Sequence, residues 1–296
     1  MTNPPSPYDR PLFGIMLMLG FCMLVPLSDA QAKMLGVEVA LLFLITLRFL
    51  FPLLLYPWLK WRGVSCAIPE GLFLWVLVRA LVLIIAMALM YQSLRFLPLA
   101  DAVAIAFVAP FLMLGLGHVF LGEHVGPHRF GAAAVGFVGT LLVVQPNFIA
   151  VGATALMPLG VALGFAIFAL ITRRISHQID PLAVQVINGY LGAMLLVPTC
   201  FFVGSDILPS ASLLPELILF GVVGTVSAVL MTASLRFAPS ATLAPMQYLE
   251  IPFATLMGWL FFKDLPNGLA ALGIVITVGA GLYVIAREHR QAHENA

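Results

Sequence analysis

Between Arg129 and Arg173 the chain carries no Asp, Glu, Lys or Arg. The same holds between Asp180 and Asp206 and between Asp264 and Arg287. Gaps this long dictate the solvent. A helix that crosses the hydrocarbon core of a bilayer takes about 20 apolar residues. The stretch 130–172 holds enough for two, interrupted at Gln145-Pro146-Asn147. Over all 296 residues, 62% are hydrophobic and 9% charged, against roughly 25% charged in soluble domains. A soluble fold of this size needs more polar surface than this sequence contains. Helices satisfy their own backbone hydrogen bonds where water is absent. The expected class is therefore an all-α integral membrane protein.

Turn and breaker residues divide the apolar stretches into ten predicted helices: 12–31, 37–59, 70–94, 98–121, 128–146, 152–173, 181–203, 213–235, 240–262 and 266–286. The breaks carry Gly63, Pro98, Gly126-Pro127, Asp180-Pro181, Pro209, Pro239 and Pro266-Asn267-Gly268. Short polar tails are expected at 1–11 and 287–296. The first run ends near Ala30-Gln31-Ala32, a pattern also found at leader cleavage sites. Pro26 inside it, with Asp29 and Lys33 at its end, makes it a first helix instead. With the N-terminus inside, the cytoplasmic side holds Arg10, Lys60, Arg62, Arg129, Arg173, Arg174, Arg236, Arg287 and Arg290, and the outside Lys33, Arg95 and Lys263. Nine against three predicts cytoplasmic termini.

Residues 93–100 read SLRFLPLA and residues 234–241 read SLRFAPSA. Over 90–100 against 231–241, seven of eleven positions are identical. The first copy lies between predicted helices three and four, the second between eight and nine. Five helices separate them, an odd number, so the copies face opposite sides of the membrane. That is an inverted repeat, an architecture of secondary transporters, and it predicts two halves, 12–146 and 152–286. The correspondence extends further with one residue of slippage. Phe107-Val108-Ala109-Pro110-Phe111 parallels Tyr248-Leu249-Glu250-Ile251-Pro252-Phe253. Glu123 parallels Asp264, and Gly131 and Gly139 parallel Gly273 and Gly281. Gly160-x-x-x-Gly164 is a small-residue packing pattern.

From about residue 11 to 286 the chain resembles the drug/metabolite transporter superfamily, in its ten-helix EamA-type branch. Three features carry the resemblance: Lys33 with Arg48; Ala88-Leu89-Met90-Tyr91 followed by SLRFLPLADA; and the prolines of helices four and nine, with Leu121-Gly122-Glu123 after the first. Two departures stand out. Lys263-Asp264 replaces the family's Gly-Glu, and Pro26, Ser28 and Asp29 stand where helix one carries Trp-Gly. The resemblance implies metabolite transport, with efflux of amino acids or related metabolites as its default. Uptake of a vitamin or nucleoside-like metabolite is the other direction it allows.

A charge at the bilayer centre costs about 2.5–3.5 kcal/mol on insertion scales, so each one inside a span is a functional candidate. Arg48 and Arg79 fall within spans and remain charged. Arg79 is the better candidate for an anionic substrate group; Arg48 recurs in the family and reads as structural or substrate-facing. Glu250, beside Ile251-Pro252, is the strongest single candidate for substrate contact or proton exchange, with Gln247 and Tyr248 nearby. Its alternative is a structural pair with an arginine such as Arg48. Pro110 and Pro252 are expected helix kinks. Tyr91, Gln92, Gln185 and Asn188 are lesser candidates, each a helix–helix hydrogen bond or a ligand; Gln185 and Asn188 share one face.

Five residues are gate candidates. Asp29 and Lys33, four apart, can pair as an interfacial bridge or as an outer gate. Asp101 either caps helix four or pairs with Arg95, and Arg236 is Arg95's counterpart on the opposite face.

Other chemistries lack their residues. The net charge of +1 offers no basic surface for nucleic acid. Cys22, Cys66 and Cys200 have no paired spacing. Glu123, His124 and His128 sit in a short loop without a convincing ligand set, so no metal and no cofactor are expected. There is no H-E-x-x-H, G-x-S-x-G or nucleotide-binding loop, which argues against an enzyme and against direct drive by ATP. A channel would want rings of like residues. The expected partners are a small-molecule substrate, the lipid bilayer and protons as coupling ion, in a monomer or homodimer.

Overall fold

The computed structural model describes residues 10–93, 96, 105–123, 125–144, 156–203, 209–263 and 268–294. Among them it forms helices and no strand. In chain order these are α1 (Pro11–Leu35), α2 (Leu41–Trp61), α3 (Phe73–Ser93), α4 (Ala109–Leu121), α5 (Pro127–Val144), α6 (Leu156–Ile175), α7 (Pro181–Val203), α8 (Leu214–Phe237), α9 (240–262) and α10 (Gly268–Glu294). Seven are long and apolar enough to cross a membrane: α1, α2, α3, α6, α7, α8 and α10. Large apolar side chains such as Leu74, Val119, Met194 and Val275 stand exposed on the outer helix faces. In water such a surface promotes aggregation; in a bilayer it is the lipid-facing belt.

The boundaries move where local polarity misleads. α1 runs to Leu35 rather than 31, because Gln31, Ala32 and Lys33 continue a helix well. α2 starts at Leu41 rather than 37, after a turn that begins at Gly36. α10 extends beyond 286 through Arg287 and Arg290 to Glu294, since good helix formers prolong a helix past the membrane surface.

The two prolines do not kink a continuous helix. Pro110 occupies the first turn of α4, after a turn at Phe107-Val108. In α9 the α-helical turn Ser240–Leu243 gives way to the 3-10 segment Ala244–Leu249, and Pro252 lies in the first turn of Glu250–Phe262. Proline lacks an N–H and clashes with the carbonyl four residues earlier. The chain therefore breaks upstream and restarts with proline where its missing donor is harmless.

Helix pairing obeys the repeat. α1 packs on α8, and its counterpart pair, five helices on, is α6 on α3. α4 packs on α6 as α9 packs on α1, while α2–α7 and α5–α10 are their own counterparts. Details recur too. Ser93 donates to the Met90 carbonyl at 2.7 Å, and Ser234 to the Met231 carbonyl at 2.8 Å. A Cβ added at Gly160 would lie 3.0 Å from Leu89, and one at Gly20 the same distance from Leu230. α5 and α10 cross almost backbone to backbone, a Cβ at Gly139 meeting the Gly273 carbonyl at 2.9 Å. Tyr248 stacks on Phe107, its counterpart 141 residues earlier, and donates to the Phe107 carbonyl at 3.1 Å.

Candidate functional site

Arg79 lies six residues into α3, about 9 Å along the helix. It is fully buried. Nε donates to the Thr172 hydroxyl of α6 at 2.8 Å, and Nη2 to the Thr232 hydroxyl of α8 at 3.3 Å. The guanidinium lies over the Phe168 ring, 4.3 Å from its centroid. From α7, Gln185 donates to the Ala228 carbonyl at 2.9 Å and to the Thr232 hydroxyl. Three helices thus meet at the cation, and α7 joins them through Thr232. Among the described residues no carboxylate pairs with it, and its Nη1 is buried without a hydrogen-bond partner. Asn188, one turn along α7 from Gln185, is also buried, and its Oδ1 has no partner either.

Arg48 is held differently. Its Nη2 donates to the Ser28 hydroxyl and sits 3.5 Å from the Asp29 carboxylate. Its guanidinium stacks at 5.2 Å from the Phe220 ring centroid. The Arg48 side chain is 26% exposed and that of Asp29 60%, so water reaches this pair. The acid that Arg48 meets is Asp29, not Glu250. Glu250 opens the last segment of α9, half-buried and within electrostatic range of Asp29. Gln247 and Tyr248 are instead fully packed: Gln247 donates to the Met113 sulfur at 3.0 Å, and Tyr248 fills the space opposite Gly136.

A third polar cluster closes one end of the bundle. Glu123, just past α4, accepts from the Ser240 hydroxyl at 2.6 Å and from the Ser240 and Ala241 amides at 3.1 and 2.9 Å. These groups open α9, whose free N–H groups favour a carboxylate. Arg173 at the end of α6 pairs with Glu123 at 3.7 Å and donates to the Leu235 and Arg236 carbonyls at 2.9 and 3.0 Å. Arg236 reaches Asp180 at 3.6 Å, and the Arg10 amide donates to the Phe237 carbonyl. Gly117 is required here, since a Cβ would lie 2.7 Å from the Ser240 hydroxyl. The network ties the ends of α4, α6 and α8 to the starts of α1, α7 and α9, across both halves. On the same side the Cys66 thiol is raised above its ordinary pKa, by burial first and then by the Asp180 carboxylate.

A family model described as the EamA-like transporter family matches residues 12–145 and again 152–287. The chain belongs to the EamA-like transporter family. It is 30% identical over 207 residues to a riboflavin transporter of Rhizobium johnstonii, covering 67% of this chain and 66% of that protein. It is 24% identical over 265 residues to an S-adenosylmethionine uptake transporter of Rickettsia prowazekii, covering 89% of each. A pseudopaline exporter of Pseudomonas aeruginosa is 25% identical over 231 residues, covering 77% of this chain and 80% of that protein. A crystal structure with 18% identity superimposes with a TM-score of 0.76, covering 93% of this chain and 96% of that one. This is agreement of fold.

Within this EamA-like transporter the expected candidates fall into separate places. Arg79 and Gln185 come together, with Asn188 one turn away on the face of α7 that carries Gln185. Arg48 joins Asp29. Arg236 joins the closed end, and Gln92 is exposed near the end of α3. Arg95, Asp101 and the side chain of Tyr91 lie outside the described residues. Sequence reasoning passed over Thr172, Thr232 and Phe168 around Arg79. It also passed over Glu123 and Arg173 as closing residues, although Leu121-Gly122-Glu123 had marked the spot.

Proposed function

We propose that this transporter moves a small polar or zwitterionic organic metabolite, amino-acid-like in character, across the bacterial inner membrane by alternating access. The observation that carries this reading is the Glu123 network. It joins the two halves at one end by a carboxylate, an arginine and helix-end amides, all of which can part without unfolding a helix. The exposed Asp29–Arg48 pair and half-buried Glu250 lie deeper along the spans. Mixed charges there suit a solute with groups of both signs. The excess of basic residues on the Glu123 side supports placing that side, and both termini, in the cytoplasm. Efflux is the direction we favour, with Glu250 as the proton-coupling carboxyl.

A second reading has a specific warrant. The riboflavin and S-adenosylmethionine uptake transporters among the relatives support import of a vitamin or nucleoside-like metabolite equally well. Proteoliposomes holding the full chain separate the two. Labelled S-adenosylmethionine, riboflavin and amino acids are offered from each side, with and without a proton gradient. Movement of one solute class from one side decides substrate and direction, and no movement of any solute sinks the transport reading. If wild type and Glu250→Gln respond equally to the gradient, Glu250 is not the coupling site. Cysteines placed at 95 and 236 should label from opposite sides; labelling of both from one side would refute the orientation.

A further inference from the structure

The contacts of Arg79 fix its position and leave its charge intact. Thr172 and Thr232 each donate their hydroxyl hydrogen to a carbonyl one turn back on their own helix, Phe168 at 2.6 Å and Ala228 at 2.9 Å. Their lone pairs then receive Nε and Nη2. The Phe168 ring supports the face of the guanidinium. Each of these partners is neutral. A buried cation with no counter-ion is the arrangement that burial penalises most, and guanidinium does not escape by losing its proton. The arrangement becomes favourable once an anion arrives, because the donors are already aimed and little side-chain freedom remains to be lost.

The open donors suit a carboxylate. Both N–H groups of Gln185 Nε2 are committed, to Ala228 and Thr232. On the guanidinium, both N–H groups of Arg79 Nη1 and the second N–H of Nη2 remain open among the described residues. One open hydrogen on each of these nitrogens makes a two-donor fork, the geometry that pairs bidentately with a carboxylate. Among the described residues Asn188 Oδ1 is a buried acceptor without a hydrogen-bond partner. It lies on the same face of α7 as Gln185, which touches the Arg79 cluster directly. An open cationic donor and an open neutral acceptor match the two ends of an α-amino acid.

We propose that Arg79 and Asn188 bind the carboxylate and the ammonium of an amino-acid-type solute. This deepens the transport reading above and rests on it. The site is closed in this structure, so loading it requires the halves to part.

The test uses purified full-length protein and thermal unfolding. The probes are S-adenosylmethionine, which carries an α-carboxylate and an α-ammonium, its decarboxylated form, riboflavin, and the twenty amino acids one at a time. We expect a carboxylate-bearing probe to raise the Tm of wild type by several degrees and the decarboxylated form to bind at least tenfold more weakly. Arg79→Met should raise the Tm without solute, by removing an uncompensated charge, and should abolish the response. Arg79→Lys should keep the fold and bind about tenfold more weakly, and Asn188→Leu likewise. A lower Tm for Arg79→Met without solute would mark Arg79 as a structural post and overturn the proposal. So would equal binding of the two S-adenosylmethionine forms, an undiminished response in Arg79→Met, or no shift with any carboxylate-bearing probe. Transport of riboflavin alone would sink this site and leave the transporter reading standing. A carboxylate-dependent Tm shift with no solute movement would do the reverse.

Discussion

The two halves of this molecule are copies in backbone and not in chemistry. The first half carries two arginines inside the membrane, and each stacks on a phenylalanine of the second half: Arg48 on Phe220, and Arg79 on Phe168. Arg48 has an acid and water beside it; Arg79 has threonines, a ring and no acid among the described residues. Backbone symmetry arises from helix pairing, which tolerates any side chain of the right size. Charge placement is under no such rule, because a cation needs a partner and not a shape. The difference teaches where to look for function. Arg48 has a counter-charge, although its Nε is buried without a hydrogen-bond partner, whereas Arg79 has none among the described residues.

The largest expected effect separates the two arginines directly. Thr172→Val removes the acceptor of Arg79 Nε where water does not reach. It should destabilise by about 1.5–3 kcal/mol, the range for a lost hydrogen bond to a charged group. Ser28→Ala removes an acceptor of Arg48, where water substitutes, and should lose under about 1 kcal/mol. Equal losses in denaturant or thermal unfolding would erase the contrast. Where the halves agree, paired changes should agree as well. Gly20→Val and Gly160→Val each press a side chain into a counterpart leucine, and each should lose about 1–3 kcal/mol by overpacking. A loss confined to one of them would show that the repeat no longer governs packing.

A smaller effect is expected at Asp29. Asp29→Asn weakens the pair with Arg48, and the exposure of Asp29 limits the loss to about 1 kcal/mol, fading further in high salt. A salt-independent loss of several times that size would mean the pair is closed off from water. The smallest effect is at the ends of α4 and α9. Both finish on a left-handed residue, Gly122 at φ 65° and Lys263 at φ 62°. Lys263 bears the steric strain that Gly122 avoids. Lys263→Gly should stabilise by somewhat under about 1 kcal/mol, and Gly122→Lys should do the opposite.

Much of the fold was legible because its determinants are local. Charge-free stretches gave ten helices in order. The SLRF pair gave the two-fold relation, which reappears as matching hydrogen bonds from Ser93 and Ser234. The candidate site was legible only in its unusual members. A lone Arg79 or Glu250 in an apolar run is conspicuous anywhere. Thr172, Thr232 and Phe168 are ordinary residues of membrane helices, and nothing in their neighbourhoods marks them. Glu123 was visible as part of a motif, but its partners Ser240 and Arg173 stand on helix ends far along the chain.

By itself, then, the sequence determined the solvent, the number and order of helices, and the duplication. These follow from composition, periodicity and self-similarity along the chain. The tertiary structure alone decided which acid meets which arginine. Asp29 pairs with Arg48 across 19 positions of sequence, Thr172 and Thr232 receive Arg79 from 93 and 153 positions away, and Glu123 caps a helix 117 positions on. Such choices depend on how helices cross and at what depth each side chain arrives. Hydropathy sees an apolar segment and not which neighbour it will face.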